Sequence, residues 1–185
     1  IPIFFANLVV PFVAIVDTGL IYCWGYNYHG QLGTETSLWT DKHSPELVTT
    51  VPEDRKATSI TSGAYHNCAI LDDKSLYCWG LNDRGMIGDG TTTSRDSLTQ
   101  TSLPTGTKAL AIYANHRGTC AVLAHETSSS ELNSASAYCW GRNFAGEAGD
   151  GTTIQRDEPV KVIYSNALSI SHLKRRHEPQ ASISQ

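Results

Sequence analysis

Apolar and polar residues alternate with a period of two over short stretches of this chain. Residues 58–61 read TSIT, and residues 67–71 and 75–79 read NCAIL and SLYCW, rich in β-branched and aromatic side chains and bounded by turn formers. That pattern predicts strands. Apolar residues at three-to-four spacing are missing over any useful length, which excludes a helical solenoid or any other all-α fold. Asp72, Asp73 and Lys74 separate two strands and align with Asp17, Thr18 and Gly19 upstream. A loop of that length predicts a tight hairpin, in which Gly19 accepts the positive φ of a type I turn followed by a bulge. Each unit then has four strands, PELVT, ATSIT, HNCAIL and SLYCWG, a sheet too small to stand without neighbours to protect its edges.

The strands recur. YCWG occurs from Tyr22, Tyr77 and Tyr138, placing Trp24, Trp79 and Trp140 at one position, followed by Gly25, Gly80 and Gly141; these are three of the four Trp in the chain. Cys23 and Cys78 are 55 residues apart and Cys78 and Cys139 are 61 apart. Cys68 and Cys78 are separated by 10, but their counterparts Cys120 and Cys139 by 19, so nine residues are an insertion in a hairpin. The unit is roughly fifty residues long, beyond the 40–45 of Trp-Asp repeats and without the glycine signature of kelch repeats. The expected organisation is an incomplete first blade with a frayed start over 1–52, a second over 53–105, a third over 106–165, and the beginning of a further repeat with a disordered tail over 166–185.

The stretch from Ala57 to Thr92, with its HisAsnCys, hairpin, TyrCysTrpGly and spaced glycines, resembles the regulator of chromosome condensation repeat family, and the resemblance runs from about Phe12 to Ser171. It implies a seven-bladed propeller. The fold class expected is therefore all-β, a partial β-propeller of about three four-stranded blades. Departures occur where Asn115 and Gly118 replace Gly63 and His66, where Lys74 takes a glycine position, and where Leu98 stands for Pro159. Three blades do not close a ring of seven, so the chain is expected to be a piece of a longer one. The family also implies an alternative function, guanine-nucleotide exchange on a small GTPase with chromatin association, and a variant of partner binding in which a bacterial enzyme is inhibited.

Composition narrows the partners. With 40% hydrophobic residues, 17% charged residues and a net charge of −4, the 185 residues belong with globular proteins. No basic stripe is present, so no nucleic acid is expected as partner; the cluster Lys174, Arg175, Arg176 lies in the tail. Residues 1–16 are uncharged and invite a membrane reading, but Pro2, Pro11 and Asn7 oppose it, and neither a membrane partner nor a readable signal peptide is expected.

Across the hairpins Cys68 faces Cys78 and Cys120 faces Cys139, at a separation a disulfide tolerates, while Cys23 faces Val13. Two readings stay open: disulfides, which point to a secreted or cell-surface setting, or small apolar side chains filling a narrow interior. The paired placement of Cys68, Cys78, Cys120 and Cys139 favours the first, and the unpaired Cys23 and the lack of a readable export signal favour the second. His66 beside Cys68 reads as a hydrogen-bonded structural histidine. Asp89 and Asp150, in two GDGTT loops, read as acceptors of backbone amides rather than calcium ligands. No nucleophile-and-base pattern, metal set or cofactor cradle is found, so no catalytic residue, metal or cofactor is expected.

What remains is a non-enzymatic scaffold that binds a protein partner through loops on one face. Asn27, Asn82 and Asn143 recur, but the residues after them vary: Tyr28 and His29, Asp83 and Arg84, Phe144 and Ala145. Tyr28, His29, Asp83, Arg84 and Phe144 are the candidate contacts.

Overall fold

The computed structural model describes residues 11–34, 40–126 and 135–164. Residues 1–10 of the apolar start, residues 127–134 in the hairpin with the insertion, the ALSIS segment from Ala167 and the basic tail lie outside them. The first sheet contains β1 (Phe12–Ile15), β2 (Ile21–Gly25) and β3 (Lys42–Leu47), in that order. The second contains β4 (Ala57–Ser62), β5 (His66–Leu71), β6 (Leu76–Gly80) and β7 (Arg95–Gln100). The third contains β8 (Thr107–Ala114), β9 (Gly118–His125), β10 (Ser136–Gly141) and β11 (Arg156–Lys161). Neighbouring strands are antiparallel in all three, so each sheet is a meander, one blade of a partial propeller. No helix among the described residues is long and apolar enough to cross a membrane.

One strand pairs otherwise than its grouping with ATSIT, HNCAIL and SLYCWG expects. PELVT does not lie beside ATSIT: Glu46 pairs with Cys23, Leu47 with Tyr22, and the Val48 amide donates to the Ile21 carbonyl at 2.9 Å, so it closes the first sheet, within residues 1–52. Period-two alternation identifies a strand without identifying its partner. The chain that leaves β2 at Gly25 pairs again from Lys42 on the open edge of that same strand, as sequential strands commonly do.

The hairpins form as the loop length requires. Gly19 has φ 82° and Lys74 φ 69°, and each residue's amide donates to the carbonyl three positions back, at 2.8 and 3.0 Å. The lysine accepts a left-handed conformation at a cost of about 1–2 kcal/mol because the hairpin around it leaves no other path.

The apolar cores lie between the blades. Ile21, Cys23, Leu32 and Val48 of the first blade pack against Ala57, Ala69, Leu71 and Trp79 of the second. Cys68, Ile70, Leu76, Cys78 and Ile87 of the second pack against Ala109, Ala121, Leu123 and Trp140 of the third. Alternate residues of β5 thus serve opposite seams, Ala69 and Leu71 one and Cys68 and Ile70 the other, which is why all six residues of that strand are buried.

A single device closes both seams. Trp79 Nε1 donates to the Gln31 carbonyl of the blade before it at 2.9 Å, and Trp140 Nε1 to the Met86 carbonyl at 2.8 Å. Glycine at 33 and 88 makes room: a Cβ there would lie 2.8 and 2.6 Å from those indole nitrogens. The glycine after each Trp sits at a register shift with φ 107° at Gly80 and 102° at Gly141, where a Cβ would lie 2.8 Å from the α-carbon of His66 or Gly118 on the adjacent strand.

Candidate partner-binding face

The loops that follow β2, β6 and β10 are shaped by one residue each. Asn82 is buried; its Oδ1 accepts the Ile87 amide at 2.9 Å and its Nδ2 donates to the Thr91 and Thr93 carbonyls at 2.9 and 3.1 Å. Asn143 repeats this with the Ala148 amide and the Thr152 and Ile154 carbonyls, and Asn27 accepts the Leu32 amide at 3.0 Å. Fixing both ends of the loop lifts the next two residues to the surface.

A second anchor is carboxylate-based. Asp89 Oδ1 accepts the Thr91 amide and hydroxyl at 3.0 and 2.7 Å, while Arg95 holds Oδ2 with two N–H groups at 2.9 and 2.6 Å. Asp150, Thr152 and Arg156 repeat the arrangement. Burial pushes the Asp150 carboxyl up, but the hydrogen bonds from Thr152 and Arg156 outweigh it and hold the group down at about 2; Asp89 is lowered in the same manner. Both GDGTT aspartates therefore spend their oxygens on their own loops.

In an antiparallel meander the β4–β5 and β6–β7 loops emerge at the same end, and the corresponding loops of the three blades form one face. Tyr28 is 51% exposed and Phe144 54%, with Asp83 exposed and His29 and Arg84 half-buried. All five predicted contacts lie on this face. They are joined by residues that the sequence did not single out. Tyr28 meets His29 edge-on with ring centroids 5.1 Å apart, His29 meets Tyr65 of the second blade at 5.4 Å, and Tyr65 meets His116 of the third at 5.7 Å. Tyr26 stacks on Tyr28 at 6.2 Å. The row of rings crosses two seams.

Beyond it Asp83 pairs with Arg117 of the third blade, and the Arg84 guanidinium lies 5.3 Å from the Phe144 ring centre, with Arg142 at 5.6 Å from the same ring. Partial burial lowers the His29 pKa, an effect opposed by Asp83 and reinforced by Arg117. Tyr65, His116 and Arg117 come from short β4–β5 and β8–β9 loops, where Ala64, Tyr65, His116 and Arg117 differ between aligned units; that difference was the available signal.

His66 lies beneath this face, fully buried in the second seam. The Thr119 hydroxyl donates to the Met86 carbonyl at 2.8 Å, so its oxygen accepts from His66 Nε2–H at 2.9 Å, fixing a neutral ring whose Nδ1 has no hydrogen-bond partner. Burial pushes its pKa down to about 4. This is the structural histidine expected. Two disulfides, Cys68 to Cys78 and Cys120 to Cys139, bridge facing strands, and Cys23 is a buried free thiol opposite Val13.

Residues 18–70 and 57–85 match the models of the regulator of chromosome condensation (RCC1) repeat. The chain is 28% identical over 177 residues to the ultraviolet-B receptor UVR8 of Arabidopsis thaliana, covering 92% of this chain and 36% of the receptor. It is 34% identical over 82 residues to the human E3 ubiquitin-protein ligase HERC2, covering 43% of this chain and 2% of the ligase. Among solved structures, Prp20p of Saccharomyces cerevisiae superposes with a TM-score of 0.68 at 17% identity, over 84% of this chain and 37% of that one. Human WBSCR16 gives 0.55 at 14% identity over 84% and 51%. The chain spans about a third of the length of the plant receptor.

Proposed function

We propose that this chain, which carries regulator of chromosome condensation repeats, acts as a non-enzymatic scaffold that binds a protein partner through the loop face bearing Tyr28, His29, Asp83, Arg84 and Phe144. The observation that carries the reading is the division of labour within each loop. Asn27, Asn82 and Asn143 are spent on backbone, whereas the side chains after them reach solvent and meet across blades to form one continuous strip of rings and charges. Exposed aromatics on a rigid frame bury large area at little conformational cost, which suits protein recognition. Structurally similar proteins have protein partners: yeast RCC1 (Prp20) is bound by Kap60, and Prp20p has binding properties towards Gsp1p and histones. Protein binding is the property carried over here.

The test is a pull-down from a cell extract with quantitative mass spectrometry, comparing the unaltered chain with a Tyr28→Ala, Asp83→Ala, Phe144→Ala triple variant. Loss of a specific protein set from the variant, with unchanged thermal unfolding, is expected; an identical set would sink the assignment.

A further inference from the structure

The arginines of the loop face fall into two groups. Arg95 and Arg156 are consumed internally, each holding its carboxylate through two N–H groups, and Arg117 is committed to Asp83. Arg84 and Arg142 are different. Arg84 meets Asp83 only at 4.0 Å and Arg142 meets Glu147 only at 3.5 Å, and their side chains are 40% and 46% exposed. Those carboxylates are also engaged elsewhere, Asp83 by Arg117 and Glu147 by the Ala145 amide at 2.7 Å. Each guanidinium has five N–H donors, so both forks keep unsaturated donors facing solvent.

The two cations come from different blades and converge on one exposed ring, Phe144, at 5.3 and 5.6 Å from its centre. Like charges gathered on a π face are held by the ring quadrupole, but they repel each other. A carboxylate from outside lying between them relieves that repulsion and accepts from both forks, while an apolar neighbour of that carboxylate covers the remaining face of Phe144.

We propose that Arg84, Phe144 and Arg142 form a dock for an acidic segment of the protein partner, one in which carboxylates stand beside aromatic or aliphatic side chains. The dock rests on the scaffold reading above and adds the partner's chemistry to it. Blade three supplies Arg142 and Phe144 and blade two supplies Arg84, so the site exists only when the seam between them is closed.

Fluorescence anisotropy with a short labelled peptide alternating glutamate and phenylalanine tests it, against the same peptide with lysine for glutamate and against a single-stranded oligonucleotide. The acidic peptide is expected to bind about tenfold tighter than the lysine peptide. Arg84→Gln or Arg142→Gln should each weaken it about three- to fivefold, with a further loss on adding salt. Unchanged thermal unfolding of both variants shows that the frame is intact. Equal binding of the two peptides, unchanged affinity in the Arg84→Gln, Arg142→Gln double variant, or tighter binding of the oligonucleotide than of the acidic peptide would each overturn the dock. The pull-down separates this from the scaffold reading: a partner set lost with the Tyr28, Asp83, Phe144 triple variant but retained by the Arg84, Arg142 double variant leaves the scaffold standing and removes the dock.

Discussion

The second blade is covered on both faces, while the first and third are each covered on one among the described residues. The same residue types consequently live in different surroundings. Trp79 and Trp140 are 0% and 1% exposed and donate to the blade before them, whereas Trp24 is only half-buried and stacks on Phe12 of its own sheet with ring centroids 5.6 Å apart. Cys68 and Cys78 are fully buried in a seam, but Cys120 is half-buried on the outer face of the third blade. A repeat position therefore fixes which way a side chain points, and the neighbouring blade decides what that side chain contributes.

The sharpest test of this contrast is Trp to Ala at equivalent positions. Trp79→Ala removes a filled seam and its bond to the Gln31 carbonyl and should cost about 3–5 kcal/mol, while Trp24→Ala should cost about 1 kcal/mol or less, read from urea unfolding. Equal costs would break the comparison.

Acid separates the two seams next, because His66 occupies only the second. Its folded pKa of about 4 lies below the ordinary histidine value of 6.5, so the unfolded chain binds a proton that the folded chain refuses. Its contribution is fully present above pH 6.5 and declines as pH falls towards 4, by about 3 kcal/mol in all. Denaturant unfolding at pH 7 and 4.5 measures it, and His66→Gln should flatten the profile. Asp150, held at about 2, adds its own loss only at still lower pH.

Access to the sulfurs should follow coverage. Under limiting reductant Cys120–Cys139 should open about tenfold faster than Cys68–Cys78, followed by alkylation and peptide mass spectrometry. The smallest effect expected is at the loop carboxylates: Asp89→Asn should lower the melting temperature by about 2 °C or less, since Arg95 is part exposed and screened by solvent.

Much of this was legible beforehand. The Trp spacing fixed the repeat, the three-residue turn placed Cys68 opposite Cys78, and alignment of the units carried that pairing to Cys120 and Cys139 across the longer hairpin, although spacing alone left thiol and disulfide open. The pairing of PELVT with β2 rather than with ATSIT was not legible, because alternation carries no partner information. Nor was the meeting of Arg84 with Phe144, or of His29 with Tyr65, because those contacts arise from the angle between blades. The role of Asn82 was visible only as recurrence; its hydrogen bonds to the Ile87 amide and two threonine carbonyls required coordinates.

The indole of each seam donates to a main-chain carbonyl, and the residues that own those carbonyls are Gln31 and Met86, with Glu147 at the same place in the third loop. An atom that every amino acid possesses imposes no choice of side chain. Through this bond a blade asks of the neighbour before it only a main-chain carbonyl and a loop glycine, so the side chains at those loop positions are left to vary with the exposed tips.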